Sequence, residues 1–287
     1  MPFGIKTIPG YFTALSQIHH GGDYKTGSET LFRTQEYFIE GRDTYISIPI
    51  IHGNALRGIW RRIIMNDLSK FLDIGYKTDK DVSFKLEKDV YHALFSGGTF
   101  REVAEKDSGK VHIKFKQRIK DLIPPISLLG TAYGNQPISS SLQISHLLPI
   151  CSELKEYLPE DIPEKYITRL NHSAFEYKDF MFQTRKDELR EERKEGEQAV
   201  QMLIKYEIMK AGTVFYNELK LVDFSELELS CLARIIELWS QNPRIGGKSA
   251  VGLGKLKPEF EFEASSEQYM LFLKENKEEI LNFLEGL

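Results

Sequence analysis

The sequence predicts an α+β fold built on an antiparallel sheet. Two kinds of segment carry this prediction: some alternate apolar and polar residues, which is typical of strands, and others repeat apolar residues at helical spacing. These segments do not follow the regular strand–helix–strand rhythm of a doubly wound parallel sheet. No linker or sharp change in composition divides the 287 residues. We therefore predict one domain, 1–287, with insertions at about 21–44, 73–120 and 151–200.

Composition and charge exclude several classes of protein. The formal net charge of −4 argues against a protein surrounded by nucleic acid on all sides, although it allows one basic face. No run of about 20 apolar residues exists, so no membrane span or membrane partner is expected. The N-terminus has no signal-peptide pattern. Cys151 and Cys231 are far apart in the sequence and lack metal-ligand spacing, which favours a reduced, cytoplasmic compartment.

The first strand is predicted around Tyr11–Ser16, and a second short strand at Tyr45–Pro49. Two adjacent histidines, His19 and His20, follow the first strand and are close to an aspartate, Asp23. Neighbouring residues on a strand point to opposite faces, so the two imidazoles rarely reach one ion. No metal site is predicted here.

A long helix is predicted from Ala55 to Leu72, with Asn54 as its N-cap. Arg57, Arg61 and Arg62 cluster in its first two turns. A helix N-terminus beside arginines attracts anions through the helix dipole and through charge, so these side chains, together with Asn54, are candidate RNA ligands. The alternative is an ordinary solvated polar face.

The segment 110–120 places a basic residue at every even position. Because its odd positions are mostly apolar, a period of two predicts a strand with one cationic face. The basic charges would then lie about 6.6 Å apart, two strand rises, which suits an extended nucleic-acid strand. A solvated edge strand guarded by lysines is the alternative. The candidate RNA ligands in this segment are Lys110, Lys114, Lys116 and Arg118.

The second half of the chain contributes further strands and helices. An alternating strand is predicted at 141–150, and two strands at 201–223 joined by Lys210–Gly212. A helix follows at 226–241, and another helix ends the chain at 267–284.

A glycine-rich segment, 243–256, separates the helix at 226–241 from a strand predicted at 251–263. The nucleotide-binding P-loop is excluded, because Asn242 replaces the first glycine of that motif and a strand follows instead of a helix. Successive free N–H groups in such a loop can still hold a polyanion backbone. A plain helix-to-strand connection capped by glycine is the alternative. The candidate RNA ligands are Gly246, Gly247, Lys248, Ser249 and Lys255.

Four segments resemble one family, the CRISPR-associated RAMP superfamily. The strand-to-helix step of this family is similar to Ile48-Pro49 followed by His52-Gly53-Asn54-Ala55-Leu56-Arg57-Gly58. Its "Leu-Phe-Gly-Ser" element is similar to Leu128–Ala132. Ala211–Phe215 resembles its "Ala-Gly-Thr-x-Phe" strand, and Ile245–Gly254 its C-terminal glycine-rich loop. The four occur in the family's order over nearly the whole chain, and they match most closely the backbone subunit of type III and type IV effector complexes.

The resemblance implies a ferredoxin-like (RRM-like) core with an antiparallel sheet, a thumb hairpin and inserted finger-like lobes. It also implies that copies of the protein assemble head to tail along a guide RNA (crRNA), which they present to target RNA or DNA beside other CRISPR effector subunits. The basic helix start, the cationic segment and the glycine loop agree with this role.

Three functions remain open at this stage. The first is a guide-RNA scaffold without catalysis, which we favour and which needs no cofactor. The second adds cleavage of the paired target RNA, for which an acid in the loop after the first strand would hold Mg²⁺ or shift a proton; Asp23 or Glu29 is the candidate. The third is processing of precursor guide RNA, with His19, His20 or His52 as general acid or base.

Overall fold

A computed structural model describes residues 3–26, 29–74, 88–97, 113–133, 136–184 and 203–287. The strands in these ranges are β1 Phe3–Ala14, β2 Gly21–Thr26, β3 Glu29–Phe32, β4 Thr34–Ile39, β5 Thr44–Pro49, β6 Thr131–Tyr133, β7 Gln136–Ile138, β8 Leu142–Ile144, β9 Leu148–Pro149, β10 Lys178–Thr184, β11 Leu203–Met209, β12 Val214–Phe224 and β13 Leu256–Phe260. The helices are α1 Gly53–Leu72, α2 Lys88–Tyr91, α3 Ile113–Leu122, α4 Pro124–Leu129, α5 Glu164–Ile167, α6 Glu226–Ser240, α7 Glu267–Glu275 and α8 Lys277–Glu285. No helix in the described ranges is long and apolar enough to cross a membrane.

The central sheet is antiparallel and has the strand order β13-β1-β12-β8, with β9 also paired to β12. Helix α1 lies in the sequence between β1 and β8, and α6 lies between β12 and β13. This arrangement, in which helices accompany an antiparallel sheet, is consistent with the predicted α+β class.

The core lies between the central sheet and the helices. Phe12 of β1 contacts Trp239 of α6, and Trp60 of α1 contacts both Trp239 and Phe260 of β13. Phe12, Trp60 and Trp239 are almost fully buried, and burial of such aromatic side chains stabilises the fold strongly. Helix α1 therefore packs on the antiparallel sheet.

A second sheet has the order β10-β11-β3-β2. It contains the antiparallel hairpin β10–β11 and one parallel pairing, between β11 and β3. One face of the hairpin packs as a small separate cluster in which Tyr206 and Ile208 contact Leu253 of the glycine-rich segment. The second sheet is thereby fixed against that segment.

The prediction of a cationic strand at 110–120 is wrong for the part of this segment that the structure describes, because residues 113–122 form helix α3. Lys110 lies outside the described residues. Phe115, Ile119 and Leu122 are spaced by four and three residues, so the same sequence also satisfies a helical period. Ile119 and Leu122 are buried, and Phe115 stacks on Phe283 of α8. Packing against α8 decides between the two periods.

Other boundaries shift for local reasons. β1 begins at residue 3, earlier than predicted, and the strand predicted at 141–150 is divided into β8 and β9. The strand predicted at 251–263 is shorter in the structure, where it is β13, because a 3-10 turn at Ser249–Val251 precedes it. The single helix predicted at the end is two consecutive helices, α7 and α8. The helix at 226–241 and the two strands within 201–223 are confirmed.

Candidate functional site

The turn after β1 joins the glycine-rich segment to the start of α1. The backbone N–H of Gly247 donates to the carbonyl of His19 over 2.8 Å. The backbone N–H of His52 donates to the imidazole Nε2 of His20 over 3.2 Å. Two consecutive residues of one turn therefore hold together two of the segments that the sequence analysis singled out.

Close packing requires glycine at two positions of the loop. Gly246 has φ of 82°, and a Cβ placed on it would lie 2.4 Å from the carbonyl oxygen of His19. Gly254 has φ of 85°, and its Cβ would lie 2.1 Å from the carbonyl oxygen of Ile245. Both positions combine a left-handed backbone with contact to another backbone, which only glycine accommodates.

The tip of this loop presents backbone donors and cations to solvent. Lys248 is left-handed, with φ of 61°, and Ser249 beside it is exposed. Among the described residues we find no acceptor for the N–H groups of Lys248, Ser249 and Ala250. The ammonium of Lys248 lies 4.2 Å from the ring centroid of Tyr206, and Lys255 is exposed. Such a concavity of free N–H groups beside lysines suits an anionic oxygen.

The start of α1 differs from the prediction. His52, not Asn54, is the N-cap residue, and Asn54 is an exposed residue of the first turn. The ring Nδ1 of His146 accepts the N–H of Gly53 over 3.2 Å, and the ring of His20 accepts that of His52. The rings of His52 and His146 stack at 4.4 Å. Imidazoles from other strands and turns thus replace the expected asparagine as caps.

The guanidinium groups predicted to bind phosphate already have protein partners. Arg57 donates to the carbonyls of Leu129 (3.0 Å) and Leu142 (2.7 Å), and Arg61 donates to Leu129 over 2.9 Å. Arg61 is only 6% exposed. Burial, with a smaller contribution from Arg57, lowers its pKa to about 10. Both arginines fasten α1 to the end of α4 at Leu129, and Arg57 also fastens it to β8 at Leu142, whereas Arg62 is exposed.

The candidate catalytic groups do not converge. The carboxylate of Glu29 forms an ion pair with Lys205 at 2.8 Å. Asp23 is a residue of strand β2, and the structure describes its backbone but not its side chain. His19 is 7% exposed, and its Nδ1 lies 2.9 Å from the carbonyl of Glu207, to which it donates. No cluster of three or more His, Cys, Asp or Glu side chains suited to a metal occurs in the part of the chain that the structure covers.

The basic residues of α3 do not form the row that a strand would have given. Arg118 forms an ion pair with Glu279 of α8. Lys114 is exposed and Lys116 is half-buried. Their side chains leave the helix in different directions, so the proposed RNA track along 110–120 loses its geometric support.

Sequence reasoning missed a second cationic and aromatic surface on the outer face of β10–β11. Phe180 and Phe182 are 40% and 57% exposed. The ammonium of Lys205 lies 3.8 Å from the ring centroid of Phe180. Alternation of Lys178, Phe180 and Phe182 along one strand was the available signal. Lys178 and Lys205 are ion-paired with Glu207 and Glu29, so the exposed aromatic rings are the part of this surface that suits nucleic-acid bases.

Acid is expected to destabilise the protein through His20. Burial, followed by the charges of Arg33, His52 and His19, lowers the His20 pKa from 6.5 to about 4. Between these two pH values the imidazole is protonated in the unfolded chain and neutral in the folded chain. The free energy of unfolding therefore falls as the pH drops from about 6.5 to about 4. The free energy of unfolding falls by roughly 3 kcal/mol in total, and this effect is absent above pH 7. Urea unfolding at a series of pH values measures it.

His20→Gln supplies the control, because an amide oxygen accepts the His52 N–H without titrating. We expect this variant to lose markedly less stability on acidification. His172→Gln changes an exposed histidine paired with Glu176 and should leave the acid sensitivity of the protein nearly as it is in the wild type. Identical acid sensitivity in the wild type and His20→Gln would contradict the assignment.

Comparisons with known proteins agree with this architecture. Residues 11–257 match the family model of the RAMP superfamily. A search of the curated proteins finds no match. Among solved structures, a chain described as "Type IV-B CRISPR Complex" is similar, with a TM-score of 0.60 and 17% identity over 91% of this chain and 93% of that chain. At this identity the likeness shows a shared fold. Because the family match spans β1, α1 and the glycine-rich loop, the chain belongs to the RAMP superfamily.

Proposed function

We propose that this protein is a guide-RNA-binding backbone subunit of a CRISPR effector complex. The observation that carries the proposal is the glycine-rich loop, in which the free N–H groups of residues 248–250 lie beside Lys248 and Lys255. Gly247 of this loop donates to the carbonyl of His19, which fixes the loop against the turn after β1. Free backbone N–H groups and lysines address phosphates and no particular base, as a scaffold for variable guide sequences requires.

The chain topology supports the ferredoxin-like core that the family resemblance implies. Numbered along the chain, the central strands β1, β8, β12 and β13 stand in the order 4-1-3-2, and a helix follows the first and third of them. We infer that the hairpin β10–β11 is the thumb. Its exposed Phe180 and Phe182 supply surfaces on which bases stack.

The proposed partners are crRNA, the target nucleic acid, further copies of the chain and other effector subunits. The structural likeness to a chain of a type IV-B CRISPR complex supports membership in a multi-subunit assembly. We propose a role without intrinsic catalysis, because the carboxylate of Glu29 is held by Lys205 and the histidines near the site serve as backbone hydrogen-bond partners.

The test is to express the protein with a CRISPR array and to sequence the RNA that remains bound after ribonuclease treatment. We expect guide RNA protected in regular segments. Unprotected or random cellular RNA would contradict the proposal. In a second arm the purified complex receives complementary RNA and Mg²⁺, and the target should remain intact. Regular cuts that disappear in Asp23→Ala or Glu29→Ala would establish the nuclease alternative instead.

A further inference from the structure

Tyr206 of β11 lies beneath the glycine-rich loop. It is only 1% exposed, and it packs with Ile208 of the same strand against Leu253 of the loop. The imidazole of His19 meets its ring edge to face, with the ring centroids 5.1 Å apart. The ammonium of Lys248 lies over the same ring, 4.2 Å from its centroid. One buried ring therefore contacts the loop at two places and also the turn that holds the loop.

The backbone around Tyr206 fixes the position of its ring. Met209, at the end of β11, exchanges two hydrogen bonds with Ile18 of the turn after β1, of 2.9 and 2.8 Å. The carbonyl of Glu207 accepts the Nδ1 hydrogen of His19. Strand β11 is also paired on both sides, with β10 and with β3. The ring of Tyr206 is therefore a rigid surface under the loop.

The ammonium of Lys248 has this ring as its partner. It forms no ion pair and no hydrogen bond in the parts of the chain that the structure describes. A cation within about 6 Å of a tyrosine ring centroid is attracted by the negative face of the ring. The backbone of Lys248 is left-handed, a conformation that persists in a non-glycine residue where its surroundings fix it. Cation–π attraction to Tyr206 thus holds this side chain at the tip of the loop.

Lys255 provides a matched comparison in the same loop. Its side chain is exposed, and within the described ranges no aromatic ring lies under its ammonium. A lysine that is free in solution loses rotamer freedom when it binds a phosphate, whereas one that is already held loses less. An ammonium carries three N–H donors, so Lys248 can bind a phosphate oxygen while it stays over the ring. The contribution of Lys248 to affinity should depend on Tyr206, and that of Lys255 should not.

We propose that Tyr206 is a positioning residue of the phosphate-binding loop, whose ring holds the ammonium of Lys248 beside the free N–H groups of residues 248–250. This inference rests on the proposed function, because it adds a support to the site proposed there. It also gives the hairpin β10–β11 two different faces. Tyr206 supports the loop on one of them, and Phe180 and Phe182 are exposed on the other.

The position of Lys248 can be measured without RNA. A methylene group above an aromatic ring resonates upfield, so lysine labelled with ¹³C at Cε reports the contact in a ¹H–¹³C spectrum of the full chain. We expect an upfield signal that Lys248→Ala removes, and an ordinary position for the signal of Lys255. Tyr206→Phe should keep the upfield signal, and Tyr206→Leu should lose it. Signals of Lys248 and Lys255 at the same position in the wild type would overturn the proposal, whether or not the Tyr206 variants fold.

A double-mutant cycle measures the effect on RNA binding, with a fluorescent single-stranded oligonucleotide as the probe. Tyr206→Leu should weaken binding about fivefold, the size expected for the loss of one cation–π contact. In the Lys248→Ala background the same substitution should change the affinity by less than about 1.5-fold, because the side chain that the ring positions is absent. In the Lys255→Ala background the fivefold loss should remain. Tyr206→Phe keeps the face of the ring and should restore the affinity.

Two controls separate positioning from a general loss of packing. Ile208→Ala truncates a buried residue of the same small cluster, and it should weaken binding by the same factor with Lys248 present or replaced by alanine. Urea unfolding shows whether each variant is folded. Equal weakening by Tyr206→Leu in both Lys248 backgrounds would show a purely structural role and overturn the proposal. Failure of the wild type to bind any RNA would overturn the proposed function alone, because the spectrum still decides where Lys248 is held.

Discussion

Replacing Gly246 with alanine is expected to destabilise the protein by about 3 kcal/mol or more and to abolish binding of single-stranded RNA. A left-handed alanine costs roughly 1 kcal/mol or more on its own. The added Cβ would also lie 2.4 Å from the carbonyl oxygen of His19. That carbonyl cannot move freely, because it accepts the N–H of Gly247. The loop must therefore leave its position, and its free N–H groups go with it.

Gly252→Ala is the matched control for this substitution. Gly252 has φ of 89°, almost the value of Gly246, but apart from its chain neighbours no described residue has an atom within 4 Å of the position that a Cβ would take there. The backbone penalty is thus shared and the steric clash is absent, so we expect a loss of only about 1 kcal/mol and nearly normal RNA affinity. Urea unfolding and titration with fluorescent oligonucleotide measure both quantities. Equal effects of the two substitutions would refute the role assigned to the close approach at Gly246.

The double substitution of Lys248 and Lys255 by alanine is expected to weaken binding of any RNA sequence by about tenfold or more at low salt. Each lost phosphate contact on a single strand should also reduce the slope of log affinity against log salt by about 0.7, or about 1.4 for the pair. Both lysines are accessible at least in part, so the fold should keep its stability. Filter binding with two unrelated oligonucleotides across a salt series gives the affinity and the slope.

Lys70→Ala with Lys274→Ala removes the same charge from exposed positions on α1 and α7 and controls for net charge. This control pair should leave the slope of the salt dependence unchanged. A slope that is the same in wild type and in the Lys248 and Lys255 variant would show that the loop does not bind phosphate. A loss confined to one RNA sequence would show base recognition and would argue against a scaffold for variable guides.

Arg57 and Arg61 are unsuitable for this experiment for a structural reason. Both guanidinium groups donate to the carbonyl of Leu129, and Arg61 is buried. Their removal would leave a buried acceptor unsatisfied, at a cost of about 1–3 kcal/mol. Reduced RNA binding in such variants would therefore report loss of structure as well as loss of any phosphate contact.

The sequence by itself determined the parts of the protein whose signal is local. The apolar residues of α1 and α6 repeat at helical spacing, and two strands, β11 and β12, are separated by a short turn at Gly212; both agree with the structure, in which the two strands lie in different sheets. The order of helix, glycine-rich loop and strand was enough to exclude the P-loop. Local periodicity and turn chemistry are properties of neighbouring residues, so they can be read from the chain.

The tertiary structure decided whatever depended on distant partners. Residues 113–122 satisfy both a strand and a helical period, and only the packing of Phe115 on Phe283 selects the helix. Asn54 is a good cap by residue type, but the N-terminus of α1 lies where His20 and His146 already accept its N–H groups. Hydrogen bonds and burial stabilise whichever groups the fold brings into contact. When those groups are far apart in sequence, the residues around each of them do not indicate the contact.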